Sequence, residues 1–264
     1  MSLILRSRVL LLLGVTVCIT ACAAGGDVTR PIPTAFIAAP QPAHRLVVML
    51  PGRGDDLASM ERRQVAQTIQ SAWPDADVVL TGLTMPFYKE GHAARRLHDE
   101  IVAPARARND RPVWIAGISL GGMGAVLYEH DYPDQVDGVL LLSPYLGEKA
   151  IHDEIRAAGG LAQWNPGPAQ VLGPDTFQHE LWRTLKGWSS DPARARSVWL
   201  AYGDREPFRV PIELMSGQLL VEHVLMLPGQ HDWALWNPAL HALLDRAKKA
   251  DETKTGCPRD RPCR

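Results

Sequence analysis

From residue 45 onward, short apolar runs alternate with stretches in which apolar side chains recur at helical spacing. Residues 46–50, Leu-Val-Val-Met-Leu, form a continuous apolar run ending at Pro51-Gly52, as expected of a strand buried on both faces. Asp55-Asp56 then opens an amphipathic stretch to Trp73, with an aspartate as its helix cap. A second strand follows at 76–80, and a helical stretch runs from Gly91 to Ala103, where Pro104 is expected to stop it. Further strands are predicted at 113–117, 136–142, 197–202 and 223–227, with helices over 121–130 and 233–249. Strands alternating with helices predict an α/β domain over 45–250: a mostly parallel sheet of about six or more strands, flanked by helices and joined by right-handed crossovers. Residues 145–196 break the rhythm with Gly159-Gly160, Pro166-Gly167-Pro168 and Gly173-Pro174, and read as a short inserted, cap-like segment.

The N-terminus follows a different pattern. Arg6 and Arg8 precede an apolar run over 9–20, then Ala21-Cys22-Ala23-Ala24, which describes a secretory signal over residues 1–21. Such a run rises about 18 Å as a helix, short of the ~30 Å of a hydrocarbon core. Ile19-Thr20-Ala21-Cys22 also resembles a bacterial lipoprotein box, implying a lipidated Cys22, membrane attachment through that lipid and a place in the cell envelope, at the outer membrane or the periplasmic face. Residues 22–44, rich in proline and glycine, read as a flexible tether. Residues 251–264 read as a tail, in which Cys257 and Cys263 are a candidate disulfide in an oxidising compartment.

Composition narrows the function. The 264 residues are 46% hydrophobic and 22% charged, which suits a globular chain and not a disordered one. With 28 basic against 29 acidic side chains there is no surplus of positive charge to attract nucleic acid. Neither His-Glu-x-x-His nor Cys-x-x-Cys occurs, so no metal is expected. Gly52-Arg53-Gly54 lacks the third glycine of a dinucleotide fingerprint because position 57 is Leu, so no cofactor is expected either.

Candidate chemistry lies in the turns beyond the carboxyl ends of the strands, where open parallel sheets carry their sites. The strand at 113–117 runs into Gly117-Ile118-Ser119-Leu120-Gly121, a G-x-S-x-G motif with a strand before it and a helix after it. That motif sets a serine on a strained bend from which flanking glycines have removed the clashing Cβ atoms. Ser119 is the candidate nucleophile. His231, in Pro228-Gly229-Gln230-His231-Asp232-Trp233 after the last strand, is the candidate base. The turn Gly203-Asp204-Arg205-Glu206 supplies two candidate acids, Asp204 and Glu206, completing the order Ser…acid…His.

Together these residues resemble the α/β-hydrolase superfamily over about 45–249. Gly117–Gly122, Ser143-Pro144-Tyr145-Leu146-Gly147 and His231-Asp232-Trp233-Ala234-Leu235-Trp236 are similar to small bacterial esterase-like hydrolases. The resemblance implies an acid three residues after the glycine, which is Glu206 here, with Asp204 as its rival. It also implies an oxyanion hole from the amides of Leu120 and Arg53, although Pro51-Gly52 stands where a His-Gly pair is usual. The implied activity is hydrolysis of a carboxylic ester or thioester, through an acyl-enzyme, on a small-molecule acyl substrate. The alternatives are a peptidase or acyltransferase with the same triad, or a non-catalytic envelope lipoprotein that uses the fold for binding. The Arg53 side chain reads first as a solvated arginine and second as a contact for an acidic substrate. Trp164, Phe177, Trp182 and Trp188 of the insert read equally as pocket residues or as the insert's own packed core.

Overall fold

The structure, a computed structural model, describes residues 26–108 and 110–255. The signal segment, Cys22, Cys257 and Cys263 lie outside the described residues. Seven strands, β1 (Thr34–Ile37), β2 (Arg45–Leu50), β3 (Ala76–Thr81), β4 (Val113–Ile118), β5 (Gly138–Leu142), β6 (Val198–Gly203) and β7 (Val224–Leu227), form one sheet. Their spatial order is β1-β3-β2-β4-β5-β6-β7. Only β1 runs antiparallel, against β3; every other pair is parallel.

The sequence alternation becomes two cores. Leu46, Val48 and Leu50 of β2 point into one, and Val47 and Met49 into the other. Helices α1 (Leu57–Arg62), α2 (Val65–Ala72) and α11 (Trp233–Thr255) cover the second face. The first face is covered by α3 (Met85–Lys89), α4 (Ala93–Leu97), α5 (Ala103–Arg108), α6 (Leu120–Asp131), α7 (Lys149–Ala157), α8 (Phe177–Ser190), the short α9 (Pro192–Ala195) and α10 (Arg209–Ser216). A strand buried on both sides needs apolar residues at every position, which is why these segments read as continuous runs.

Several expectations are corrected. The described part of the 22–44 segment is not a flexible tether: Thr34–Ile37 pairs with β3 and closes that sheet edge. Upstream, the Arg96 guanidinium donates to the carbonyls of Val28 and Arg30, and Ile32 is buried. The predicted helix over 55–73 is two, because Gln64 takes a left-handed conformation (φ 56°) between α1 and α2. Pro104 does not end its helix. A π-helical turn, His98–Val102, widens the spiral just before it, and the chain continues through α5. At the C-terminus, α11 extends to Thr255, so the tail begins later than residue 251. The 145–196 insert is only partly a cap. Its α8 packs on α6, and Trp164, Trp182 and Trp188 are all core residues, almost fully buried.

The chain leaves β2 toward β3 on one side and returns to β4 on the other. The crevice beyond the carboxyl ends of β2 and β4 is therefore the topological switch point, where a ligand site is expected.

Candidate active site

Ser119 stands at that point, between β4 and α6, with φ 50° and ψ −110°. Such a conformation strains a residue that carries a Cβ, and it persists because the surroundings fix it. The Ser119 amide donates to the Leu142 carbonyl at 2.9 Å, and its own carbonyl accepts from Tyr145 at 2.9 Å and Met123 at 3.2 Å. The flanking glycines permit the close approach: a Cβ on Gly117 would lie 2.2 Å from the Gly121 carbonyl oxygen, and one on Gly121 would lie 2.4 Å from that of Leu50.

The turn after β7 brings His231 across the sheet. Its Nε2 lies 2.9 Å from Ser119 Oγ and its Nδ1 lies 2.7 Å from Glu206 Oε2. With Nδ1 facing a carboxylate, the ring proton belongs on that nitrogen, leaving Nε2 to accept from the serine hydroxyl. The imidazole is held edge-on between Phe208 (centroids 5.0 Å apart) and Trp236 (4.9 Å). The Glu206 carboxylate is fully buried, with Oε1 accepting from the Gly203 amide at 3.2 Å and from the Ser143 hydroxyl.

Of the two candidate acids, the structure brings only Glu206 to His231. Asp204 turns the other way. Its Oδ1 accepts from the Gly229 amide at 2.9 Å and its own amide donates to the Leu227 carbonyl, so it clamps the β6 and β7 turns together. The expectation of Asp204 as a catalytic acid is corrected on that ground.

Leu120 is the first residue of α6, so its amide has no acceptor within the helix. Arg53 sits in the turn after β2, and both residues line the same cavity as Ser119 and His231. That cavity encloses about 660 Å3, and most of its wall is apolar, including Leu83, Met85, Leu97, Met123, Leu127 and Phe177. Phe177 is thus the one residue among the four proposed for the pocket that reaches it.

Sequence reasoning missed Ser143 and Trp236 as parts of the site. Trp236 Nε1 donates to Ser143 Oγ at 3.0 Å, tying α11 to the residue that holds Glu206. A sequence signal for Ser143 exists: it closes an apolar strand run, as Ser119 does, and in the structure it too takes a positive φ, 45°. The α3–α4 wall of the cavity carried no such signal.

The family model described as "Putative esterase" matches residues 88–247. No curated protein matches the chain in sequence. Among solved structures, the fold is similar to a monoacylglycerol lipase from Paleococcus ferrophilus (TM-score 0.52, 15% identity, 82% of this chain and 100% of that one). It is similar also to Est1E from Butyrivibrio proteoclasticus (TM-score 0.54, 14% identity, 85% and 95%) and to the S-formylglutathione hydrolase FrmB from Staphylococcus aureus (TM-score 0.52, 15% identity, 83% and 98%). At these identities the likeness is one of fold, with nearly the whole length of each relative spanned.

Proposed function

Because the chain belongs to this esterase family within the α/β-hydrolases, we propose that it is a serine hydrolase cleaving a carboxylic ester or thioester through an acyl-enzyme. The observation that carries the reading is the unbroken hydrogen-bonded series Ser119–His231–Glu206, at 2.9 and 2.7 Å, opening into an apolar cavity.

Ser119 Oγ attacks the carbonyl carbon while its proton passes to His231 Nε2. The carbonyl electrons move onto oxygen, where the amides of Leu120 and Arg53 stabilise the charge; one such donor is worth about 2.7–4 kcal/mol in a comparable site. When the intermediate collapses, the bond to the alcohol or thiol breaks and the leaving atom takes the proton from Nε2. Water then attacks the acyl group, again giving its proton to His231, and that proton returns to Ser119 as the acid departs. Glu206 stays ionised throughout, fixing the tautomer and stabilising the imidazolium.

The site is also read as held at the cell envelope by a lipid on Cys22, on the strength of the N-terminal motif. Loss of membrane fractionation in Cys22→Ser tests that part separately. For the chemistry, a fluorophosphonate probe is expected to label the wild type but not Ser119→Ala, with para-nitrophenyl ester hydrolysis lost in parallel. Folded wild type that takes no label and cleaves no ester would establish the binding-protein alternative instead.

A further inference from the structure

The two ends of the cavity differ in character. Of its lining residues, Leu97, Met123 and Leu127 are buried, which marks the enclosed end, whereas Arg53, Lys89 and Glu148 are exposed, which marks the rim. The two halves of an ester have different fates in an acyl-enzyme cycle. The acyl half stays bonded to Ser119 until water releases it, and the alcohol or thiol half must escape to solvent after the first step. The enclosed apolar end suits the retained half, and the open rim suits the departing one.

The charges at the rim are unevenly engaged. Among the described residues, the side chains of Arg53 and Lys89 make no ion pair and no hydrogen bond. The rim carboxylate of Glu148, by contrast, accepts from the Tyr145 hydroxyl. The acids that share the adjoining groove with Arg53 are hydrogen-bonded to other groups: Asp55 accepts from Ser59 at 2.9 Å and Trp233 at 3.2 Å, and Asp232 accepts from the amides of Ala234 and Leu235 that open α11. Among the charged residues lining the cavity, two cations thus stand against one carboxylate, Glu148, which keeps its charge while accepting from Tyr145, and Arg53 lies within electrostatic range of that same tyrosine.

Resting on the esterase reading above, we propose that the substrates are esters or thioesters whose leaving group bears a negative charge, bound by Arg53 and Lys89 while an apolar acyl chain fills the inner end. The scissile C–O or C–S electrons depart with the leaving atom, which is protonated by His231. The recognised anion sits elsewhere on the same group and is unchanged by the reaction. Exposed pairs of this kind are individually modest and sensitive to salt, so the preference is a matter of several-fold in rate.

The test uses one acyl group, butanoyl, on three leaving alcohols: glycolate (anionic), glycolamide (neutral) and choline (cationic). The kcat/KM ratios are compared between wild type and the Arg53→Gln/Lys89→Gln double variant, which keeps the Arg53 main-chain amide. Each ester's intrinsic reactivity is the same with both proteins, so a change in ratio reports the rim. At low salt, the glycolate-to-glycolamide ratio is expected to be about three- to tenfold higher in wild type than in the variant, the choline-to-glycolamide ratio lower, and both differences should collapse in high salt. Equal ratios in the two proteins, or a preference indifferent to salt, overturn the proposal while Ser119 labelling leaves the esterase reading standing. Failure to cleave any ester, with no labelling of Ser119, overturns both.

Discussion

The Ser143 hydroxyl donates to Glu206 Oε1, the carboxylate oxygen turned away from His231. Both sides of the buried acid are thereby occupied: Oε2 faces the imidazole at 2.7 Å, and Oε1 receives Ser143 and the Gly203 amide. Trp236 completes the arrangement, donating to Ser143 at 3.0 Å while its ring stands perpendicular to that of His231, 4.9 Å away. The acid and the base are thus positioned by the same pair of residues, one at the end of β5 and one on the first turns of α11.

This relation makes Ser143 a positioning residue. In Ser143→Ala the Trp236 indole loses its acceptor and Glu206 loses a charge-assisted hydrogen bond worth about 1.5–3 kcal/mol. The expected result is a fall in kcat of about 10- to 100-fold with KM nearly unchanged, because Ser143 lies behind the triad and does not line the cavity. Ser143→Cys, a weaker donor of similar size, should fall between the two. A rise in KM with kcat intact would show that Ser143 shapes the pocket instead.

The two acids of the 203–206 turn should separate by substitution. Glu206→Gln keeps the shape but no longer holds the Nδ1-protonated tautomer, a change that costs about 10⁴ in kcat in the serine protease template. Asp204→Asn should remain within a few-fold of wild type in kcat. It weakens the acceptor for the Gly229 amide and should lower Tm by roughly 2–4 °C, the shift expected for about 1 kcal/mol in a domain of this size. Steady-state kinetics and thermal melts of both variants check this, and the opposite ranking in kcat would reassign the acid.

How much of this was legible in the sequence depends on the range over which each signal acts. Ser119 and its glycines are a local constraint, since the bend requires small neighbours on each side, and a pentapeptide carries that information. His231 was legible from its place after the last strand. The choice between Asp204 and Glu206 was not, because it turns on how the backbone leaves β6: Asp204 is directed back to the Gly229 amide and Glu206 inward to His231. β1 was hidden for another reason. It is a four-residue edge strand of half-exposed alternation among prolines, and only its pairing with β3 defines it. The insert's tryptophans were ambiguous between pocket and core because both roles demand large apolar rings, and only the folded insert decides it, with Trp164 donating to Glu154 and Trp182 to the Leu146 carbonyl.

Glu129, on α6, gives a pH dependence outside the site. It is almost completely buried, and burial raises its carboxyl from the ordinary 4.5 to about 7, with Asp134 adding to the rise and Arg194 opposing it. Between those two values the folded protein holds a proton that the unfolded chain has released. Stability therefore falls as pH rises through this window and levels off above it, by an amount on the order of 3 kcal/mol at most. Glu129→Gln removes the titration. Urea unfolding should find the variant close to wild type near pH 5 and more stable near pH 8, the other ionisations cancelling in the difference. Parallel stability curves for the two proteins would mean that the folded state ionises Glu129 without cost.

Arg96 links the N-terminal segment to the cavity wall. From α4 its guanidinium donates to the carbonyls of Val28 and Arg30, pairs with Glu100 at 2.6 Å and lies over the Phe87 ring at 4.8 Å, while Glu100 also accepts from the Ile32 amide at 2.6 Å. Ala93, Ala94 and Leu97 of the same helix line the cavity. Arg96→Ala removes the strap and the stacked cation together, at a cost of about 1–3 kcal/mol. Limited proteolysis should then cut between residues 26 and 33 under conditions that leave the wild type whole there. Ester kinetics should show a raised KM with little change in kcat, because the strap supports the wall that holds the acyl group and touches none of Ser119, His231 or Glu206. If the segment stays protected in the variant, the burial of Ile32 and the pairing of β1 with β3 are enough to hold it, and Arg96 is dispensable for that purpose.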